Sequence, residues 1–109
     1  MKRILAAAAA IAILAPAPAS AAIHSLKYSA EIHLGNAGCV FFRLEGVTVA
    51  DSSVASRPWF ALDTTQYNFK SLYAILLSTN LGRRPISVNT VGGGAMTCGE
   101  AAVSQIKLD

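Results

Sequence analysis

Apolar and polar residues follow two different periods along this chain, and the longer period lies in one central segment. Residues 67–91 read YNFKSLYAILLSTNLGRRPISVNTV. In this segment apolar residues recur at the i, i+3, i+4 and i+7 spacing of one helical face, at Phe69, Leu72, Tyr73 and Leu76. The spacing predicts an amphipathic helix, with Ile75 and Leu77 widening its apolar stripe.

Residues at both ends of this segment predict where the helix begins and ends. A short side-chain oxygen can accept a free backbone N–H at a helix start, which makes Thr64, Thr65 and Asn68 the candidate N-caps. Gly82 suits the left-handed position that follows a helix, and Pro85 prevents continuation.

The remaining hydrophobic pattern has a period of two and predicts strands. Residues 26–34 alternate between apolar and polar, and the turn signal GNAG at 35–38 joins them to a second strand, CVFFRL, at 39–44. Further strands are predicted at 57–62, 86–89 and 97–108. Residues 47–56 are interpreted as a loop. In the last strand the apolar parity shifts between Val103 and Ile106, which predicts a bulge near Ser104.

The predicted order is β-β-β-α-β-β, a mainly β chain with one helix. Five strands with a helix between the third and the fourth is the order of an OB-fold barrel. A small open sheet with a helix on one face is the alternative. In either case residues 22–109 form a single domain.

The first 21 residues have the pattern of a cleaved secretory signal peptide. Lys2 and Arg3 precede an apolar run from Ile4 to Ala15, which is too short to span a bilayer. Ala19-Ser20-Ala21 matches an A-x-A cleavage site, so the mature chain is predicted to begin at Ala22. We therefore expect a secreted or periplasmic protein without a transmembrane segment after cleavage.

Two cysteines, Cys39 and Cys98, lie in the exported part of the chain. An even number of cysteines in an oxidising compartment predicts one disulfide, with two unpaired buried thiols as the alternative. There is no CxxC motif, and His24 and His33 lack zinc-site spacing, so neither a metal nor another cofactor is expected.

Charge argues against a nucleic-acid partner. The whole chain has nine basic and six acidic residues, but Lys2 and Arg3 leave with the signal peptide. The mature domain is therefore close to neutral and lacks the basic excess typical of nucleic-acid binding.

Several motifs resemble the B subunit of subtilase cytotoxin and a set of small exported bacterial proteins related to it. The resemblance covers most of the mature chain and rests on five segments: FFRLEG at 41–46, WFAL at 59–62, FKSLY at 69–73, GRRPISV at 82–88 and CGEAAVSQI at 98–106. It implies an OB-fold, a ring of five subunits and binding of sialylated glycans. It also implies a pocket near the first strand, where this chain has Ser25, Tyr28 and Ser29.

Three other side chains are candidate ligand contacts. Trp59 is a candidate aromatic platform, with packing in the core or an interface as the alternative. Arg83 and Arg84 are candidate partners of a carboxylate, since a guanidinium fork matches that group; the alternative is a pair of solvated charges at the helix end.

The sequence thus favours a non-enzymatic, disulfide-linked exported binding module whose ligand is a glycan. A stand-alone periplasmic domain that binds another protein or has a structural role is the second hypothesis. The third is a small hydrolase using His33 beside Glu31, but no nucleophile motif such as G-x-S-x-G accompanies that pair.

Overall fold

The computed structural model describes residues 21–35 and 38–109, which form seven strands and one helix. The predicted signal peptide lies outside these residues, except for Ala21. The elements are β1 (Ile23–Lys27), β2 (Ser29–Leu34), β3 (Cys39–Leu44), β4 (Trp59–Asp63), α1 (Phe69–Gly82), β5 (Ile86–Thr90), β6 (Met96–Thr97) and β7 (Glu100–Leu108).

The strands close into an OB-fold-like barrel. Neighbouring strands follow the order β1-β5-β7-β4-β3-β2, and β6 pairs with β7. Since β1 and β2 are two halves of one bent segment, the two ends of this path meet and the sheet closes. The pair β4 and β7 is parallel, whereas the other neighbours are antiparallel. The mainly β prediction is confirmed, and the barrel is favoured over the open sheet.

The first strand departs from its predicted alternation. It is divided at Tyr28, and a register shift between Ser29 and Glu31 places Ala30 outside the regular pairing with β3. As a result Ser29 is buried, while Leu26 and Leu34 are exposed. Simple alternation does not predict these exposures. Leu26 lies in the register shift between His24 and Lys27, where a bulge changes the side-chain parity, whereas Leu34 is the last residue of β2.

The core contains the inward-facing residues of the strands and one stripe of α1. Phe42 of β3 and Phe60 of β4 stack at its centre, with ring centroids 5.0 Å apart. The helix buries Leu72 and Leu76, as its spacing predicts. Helix α1 packs against β2, β4 and β7, which places it across the barrel rather than on a flat sheet.

Both helix ends differ in detail from the prediction. Asn68 occupies the N-cap position but makes no side-chain capping hydrogen bond; its Oδ1 accepts from Gln66 Nε2 at 2.7 Å instead. Gly82 is the last helical residue, and Arg83 takes the left-handed conformation, with φ 54° and ψ 51°. The assignment of Gly82 to the left-handed position was therefore wrong by one residue.

Two other predictions are confirmed. Cys39 on β3 and Cys98 in the β6–β7 turn form a disulfide. In β7, Val103 pairs with Thr90 and Gln105 with Asn89, so Ser104 is the extra residue of a bulge. The Ser104 hydroxyl donates to the carbonyl oxygen of Asn89 at 3.1 Å, which satisfies a polar group beside the irregularity.

Candidate functional site

A groove with a volume of about 290 Å³ lies on the outer face of the barrel, where β2, β3 and β4 run side by side. In OB-folds the face of the second and third barrel strands, together with adjacent loops, binds oligosaccharides and oligonucleotides. Here those strands are β3 and β4. The groove is lined by His33, Leu34, Gly35, Phe41, Trp59 and Glu100.

Strand alternation explains why aromatic residues reach this face. On β3, Val40, Phe42 and Leu44 are buried in the core, which directs Phe41 and Arg43 outward. The register aligns Trp59 of β4 with Arg43, and His33 of β2 with Phe41. Residues that are far apart in sequence therefore form one continuous outer surface.

Trp59 is held by contacts on two sides. The His33 ring meets it edge-on, with centroids 5.2 Å apart and planes at 84°. The Arg43 guanidinium carbon lies 6.0 Å from the indole centroid, within the range of a cation–π contact. Trp59 is half-buried and lines the groove, so part of its ring is accessible from outside the core.

Two arginines contact residues that line the groove, Arg43 at Trp59 and Arg57 at Glu100, and with their carboxylate partners they form what we call the rim. Arg43 donates to Glu31 Oε1 from Nε at 3.1 Å and from Nη2 at 2.7 Å. Arg57 Nε lies 3.2 Å from Glu100 Oε1, and its Nη2 donates to the carbonyl oxygen of Gly99 at 2.8 Å. Both guanidinium groups are thus oriented, and the rim offers donors and acceptors together.

The carboxylate of Glu31 in this rim is hydrogen-bonded to two side chains, those of His33 and Arg43. Hydrogen bonds from His33, first, and from Arg43 hold the pKa of Glu31 below its usual value. Both partners favour the ionised form, so Glu31 is an acceptor at neutral pH.

A second cluster gathers three of the sequence candidates at the end of α1. The Arg83 guanidinium lies over the Tyr28 ring at 4.3 Å and makes a double ion pair with Glu45. Hydrogen bonding with Arg83 lowers the pKa of Glu45 and raises that of Arg83. Asn80 Nδ2 donates to the buried Ser29 hydroxyl at 2.8 Å. These contacts fasten the helix end to the bend between β1 and β2.

The candidates therefore divide between two places. Tyr28, Ser29 and Arg83 lie together but are engaged in contacts within the fold, whereas Trp59 lines the groove. Ser25 and Arg84 are exposed and line neither place. Within the described residues Arg84 makes no ion pair, so its interpretation as a solvated charge at the helix end agrees with its surroundings.

Of the ligand contacts predicted from the sequence, Trp59 alone lines the groove. Phe41 carried a usable signal, since an aromatic residue between two inward-facing neighbours must face outward. Glu100 carried none, because its position beside Arg57 depends on how β7 returns to β4.

Comparison of the chain with protein-family models, curated proteins and solved structures finds no match. The resemblance to the toxin B subunit thus stays a prediction. Within residues 21–35 and 38–109 no helix is long and apolar enough to cross a membrane.

Proposed function

We propose that this protein is an exported, non-enzymatic binding module whose groove at Trp59 binds a carbohydrate. The observation that carries the proposal is the coincidence of an aromatic-lined groove with the β3–β4 face that OB-folds use for oligomeric ligands. An indole ring offers a flat apolar surface for the C–H face of a sugar ring. The paired carboxylates and guanidinium groups of the rim offer acceptors and donors for hydroxyl groups.

Charge makes a nucleic acid a poorer ligand for the same groove. Proteins that bind single strands combine stacking with a positively charged groove that follows the phosphates. Here the guanidinium groups of Arg43 and Arg57 are already paired with Glu31 and Glu100. A phosphate chain would have to compete with these carboxylates, whereas a hydroxylated ligand can use both partners.

Trp59→Ala tests the platform directly. We expect the exported, oxidised protein to bind a subset of an immobilised glycan array, and the variant to lose roughly tenfold or more in affinity, since a ring contact is removed. Tyr67→Ala is the matched control, because Tyr67 is an aromatic residue that is 99% exposed and does not line the groove.

The proposal fails if Trp59→Ala retains full affinity while its circular dichroism matches that of the parent protein. It also fails if Tyr67→Ala and Trp59→Ala weaken binding equally, because the loss would then be independent of the groove.

We further propose that the module self-associates into the ring of five subunits that the resemblance implies. Support comes from β1, where Ile23 is 65% and Leu26 is 68% exposed. Leu108 at the end of β7 is 47% exposed, and Leu26 N–H donates to Asp109 Oδ2 at 2.9 Å, which brings Leu26 close to this end of β7. Exposed apolar side chains that lie close together are typical of interaction surfaces.

Native mass spectrometry of the exported protein measures the assembly. We expect a five-subunit mass, and Leu26→Ser should shift the distribution toward monomer. A monomeric parent protein would contradict self-association. It would favour the alternative of a stand-alone domain that uses this surface for another protein.

A further inference from the structure

A buried carboxylate lies in the β3–β4 connection, apart from the residues that line the groove. Asp51 is only 2% exposed. Its Oδ1 accepts from the Ser53 backbone N–H at 2.9 Å and from the Ser53 hydroxyl at 2.7 Å. Its Oδ2 accepts from the Thr90 hydroxyl at 2.6 Å.

Thr90 connects this carboxylate to the start of the mature chain. The Ala22 backbone N–H donates to Thr90 Oγ1 at 2.8 Å, and the Thr90 N–H donates to the Ala22 carbonyl oxygen at 3.0 Å. One hydroxyl group therefore stands between the nitrogen of Ala22 and the carboxylate of Asp51. The chain of donors runs in one direction, from Ala22 N through Thr90 Oγ1 to Asp51 Oδ2.

Removal of the predicted signal peptide changes the first donor of this chain. Hydrolysis of the Ala21–Ala22 peptide bond adds the hydroxyl of water to the Ala21 carbonyl carbon and its proton to the Ala22 nitrogen. The resulting amine takes a second proton from solvent and becomes an ammonium group at neutral pH. A neutral amide donor is thereby replaced by a cation that has three donors.

We propose that Thr90 and Asp51 form a binding site for the α-ammonium group of Ala22, so that proteolytic maturation adds a charged contact that holds β1 on β5. The inference rests on the export and cleavage expected above, but not on the ligand of the groove. A hydrogen bond from a charged donor is shorter and stronger than one from a neutral amide.

The ionisation state of Asp51 suits the binding of an ammonium group. Burial raises the pKa of Asp51, but hydrogen bonds from Thr90 and Ser53 outweigh burial and bring the pKa below its usual value. The carboxylate is therefore ionised at neutral pH. His24 on β1 is the other titratable residue that acts on it, and its Nε2 lies 2.7 Å from the Ala50 carbonyl oxygen.

The pKa of the Ala22 amine tests the proposal. The full chain is produced with export, and the intact mass of the oxidised product identifies its first residue. Acetylation by acetic anhydride is then followed across pH in the N-terminal peptide. An unperturbed α-amine titrates at about 7.7–8.0, and a carboxylate one hydroxyl group away should raise this pKa to about 9. At pH 7 this corresponds to roughly tenfold slower labelling.

Substitutions distinguish an effect of the Asp51 charge on the pKa of the Ala22 amine from steric shielding of that amine from the reagent. Asp51→Asn and Thr90→Val should return the pKa to the ordinary range, whereas shielding alone would slow labelling without raising the midpoint. Asp63→Asn is the matched control: Asp63 also accepts from a threonine hydroxyl, that of Thr65 at 2.7 Å, but is not hydrogen-bonded to Ala22. His24→Gln should leave the raised midpoint in place.

Three results would overturn the proposal. These are an ordinary pKa in the parent protein, an unchanged raised pKa in Asp51→Asn, and a mature chain that starts at another residue. If Asp51→Asn does not fold, Thr90→Ser and Thr90→Val test the proposal instead. Thr90→Ser keeps the hydroxyl and should keep the raised pKa of the Ala22 amine, whereas Thr90→Val should lose it. Glycan binding is measured independently, so failure here is distinguishable from failure of the groove.

Discussion

At the residue scale, Asp51 shows how one side chain organises a connection that has no regular structure. Its side chain binds Ser53 and Thr90, and its carbonyl oxygen accepts from Val54 N–H at 3.0 Å. A paired, buried carboxylate of this kind is stable only while its hydrogen bonds are complete. The segment 47–56 is therefore a loop, as its composition indicates, but one with a fixed polar centre.

Asp51→Asn should reduce stability in a way that depends on pH. We expect it to lower the free energy of unfolding at pH 7 by about 1–3 kcal/mol, since a charged acceptor is lost. Because folding lowers the pKa of Asp51, its contribution is complete above the unfolded value of about 3.9 and is lost as the pH falls through the folded value. Urea titrations at pH 7 and pH 3 measure this. A difference that does not shrink at pH 3 would contradict the account.

The sequence could not show this role for Asp51. Its partner Thr90 lies 39 positions away on β5, and the two meet only because the barrel closes. Local patterns carry no information about such a pair. The inward position of Phe42 and the outward position of Phe41, by contrast, follow from alternation on a single strand.

At the element scale, α1 was predictable because its evidence is local. Its buried residues Leu72 and Leu76 follow from periodicity alone. The residue at which α1 ends was not predictable from local sequence. Either Gly82 or Arg83 can take the left-handed position after a helix when tertiary contacts offset the backbone strain of a non-glycine residue. Arg83 takes the left-handed conformation that a glycine would adopt more easily, and its contacts with Glu45 and Tyr28 hold it there.

Two variants at Arg83 separate backbone strain from side-chain contacts. Both Arg83→Ala and Arg83→Gly lose the contacts with Glu45 and Tyr28, but only alanine keeps the unfavourable left-handed backbone. We expect the glycine variant to melt about 4 °C or more above the alanine variant, as measured by circular dichroism. Equal melting temperatures would show that the helix end relaxes once the guanidinium is removed.

At the scale of the whole molecule, the disulfide ties the start of β3 to the turn before β7. Cys39 and Cys98 are 59 positions apart. A link across so long a segment restricts the unfolded chain strongly, and the chain-entropy model gives roughly 4 kcal/mol of stabilisation. This pairing was predictable because the chain has just two cysteines and a sequence pattern that predicts export.

Removal of the disulfide should therefore lower stability substantially. We expect the Cys39→Ala/Cys98→Ala double variant to lose roughly 4 kcal/mol in guanidinium titrations, and reduction of the parent protein to have a similar effect. A midpoint that is unchanged in the double variant would contradict the contribution assigned to this bond.

The groove also depends on the whole molecule, because its residues come from several strands. The sequence could therefore reveal only part of it. Trp59 was recognised as an aromatic candidate, but its neighbours His33 and Phe41 reach it through the register of three strands. Tyr28 and Ser29 lie at the bend between β1 and β2 and Arg83 at the helix end, and their contacts lie within the fold. Sequence patterns identify residue types, whereas strand register decides which residues share a surface.

The most direct test of the groove is an NMR titration of the exported, oxidised protein with glycans selected from the array. The account predicts that the largest shifts occur at the Trp59 indole N–H and the backbone amides of His33 and Phe41, with little change at Tyr67. Shifts centred on Arg83 and Tyr28 would place the ligand at the helix end and contradict the account. Absence of any shift at saturating glycan would do so as well.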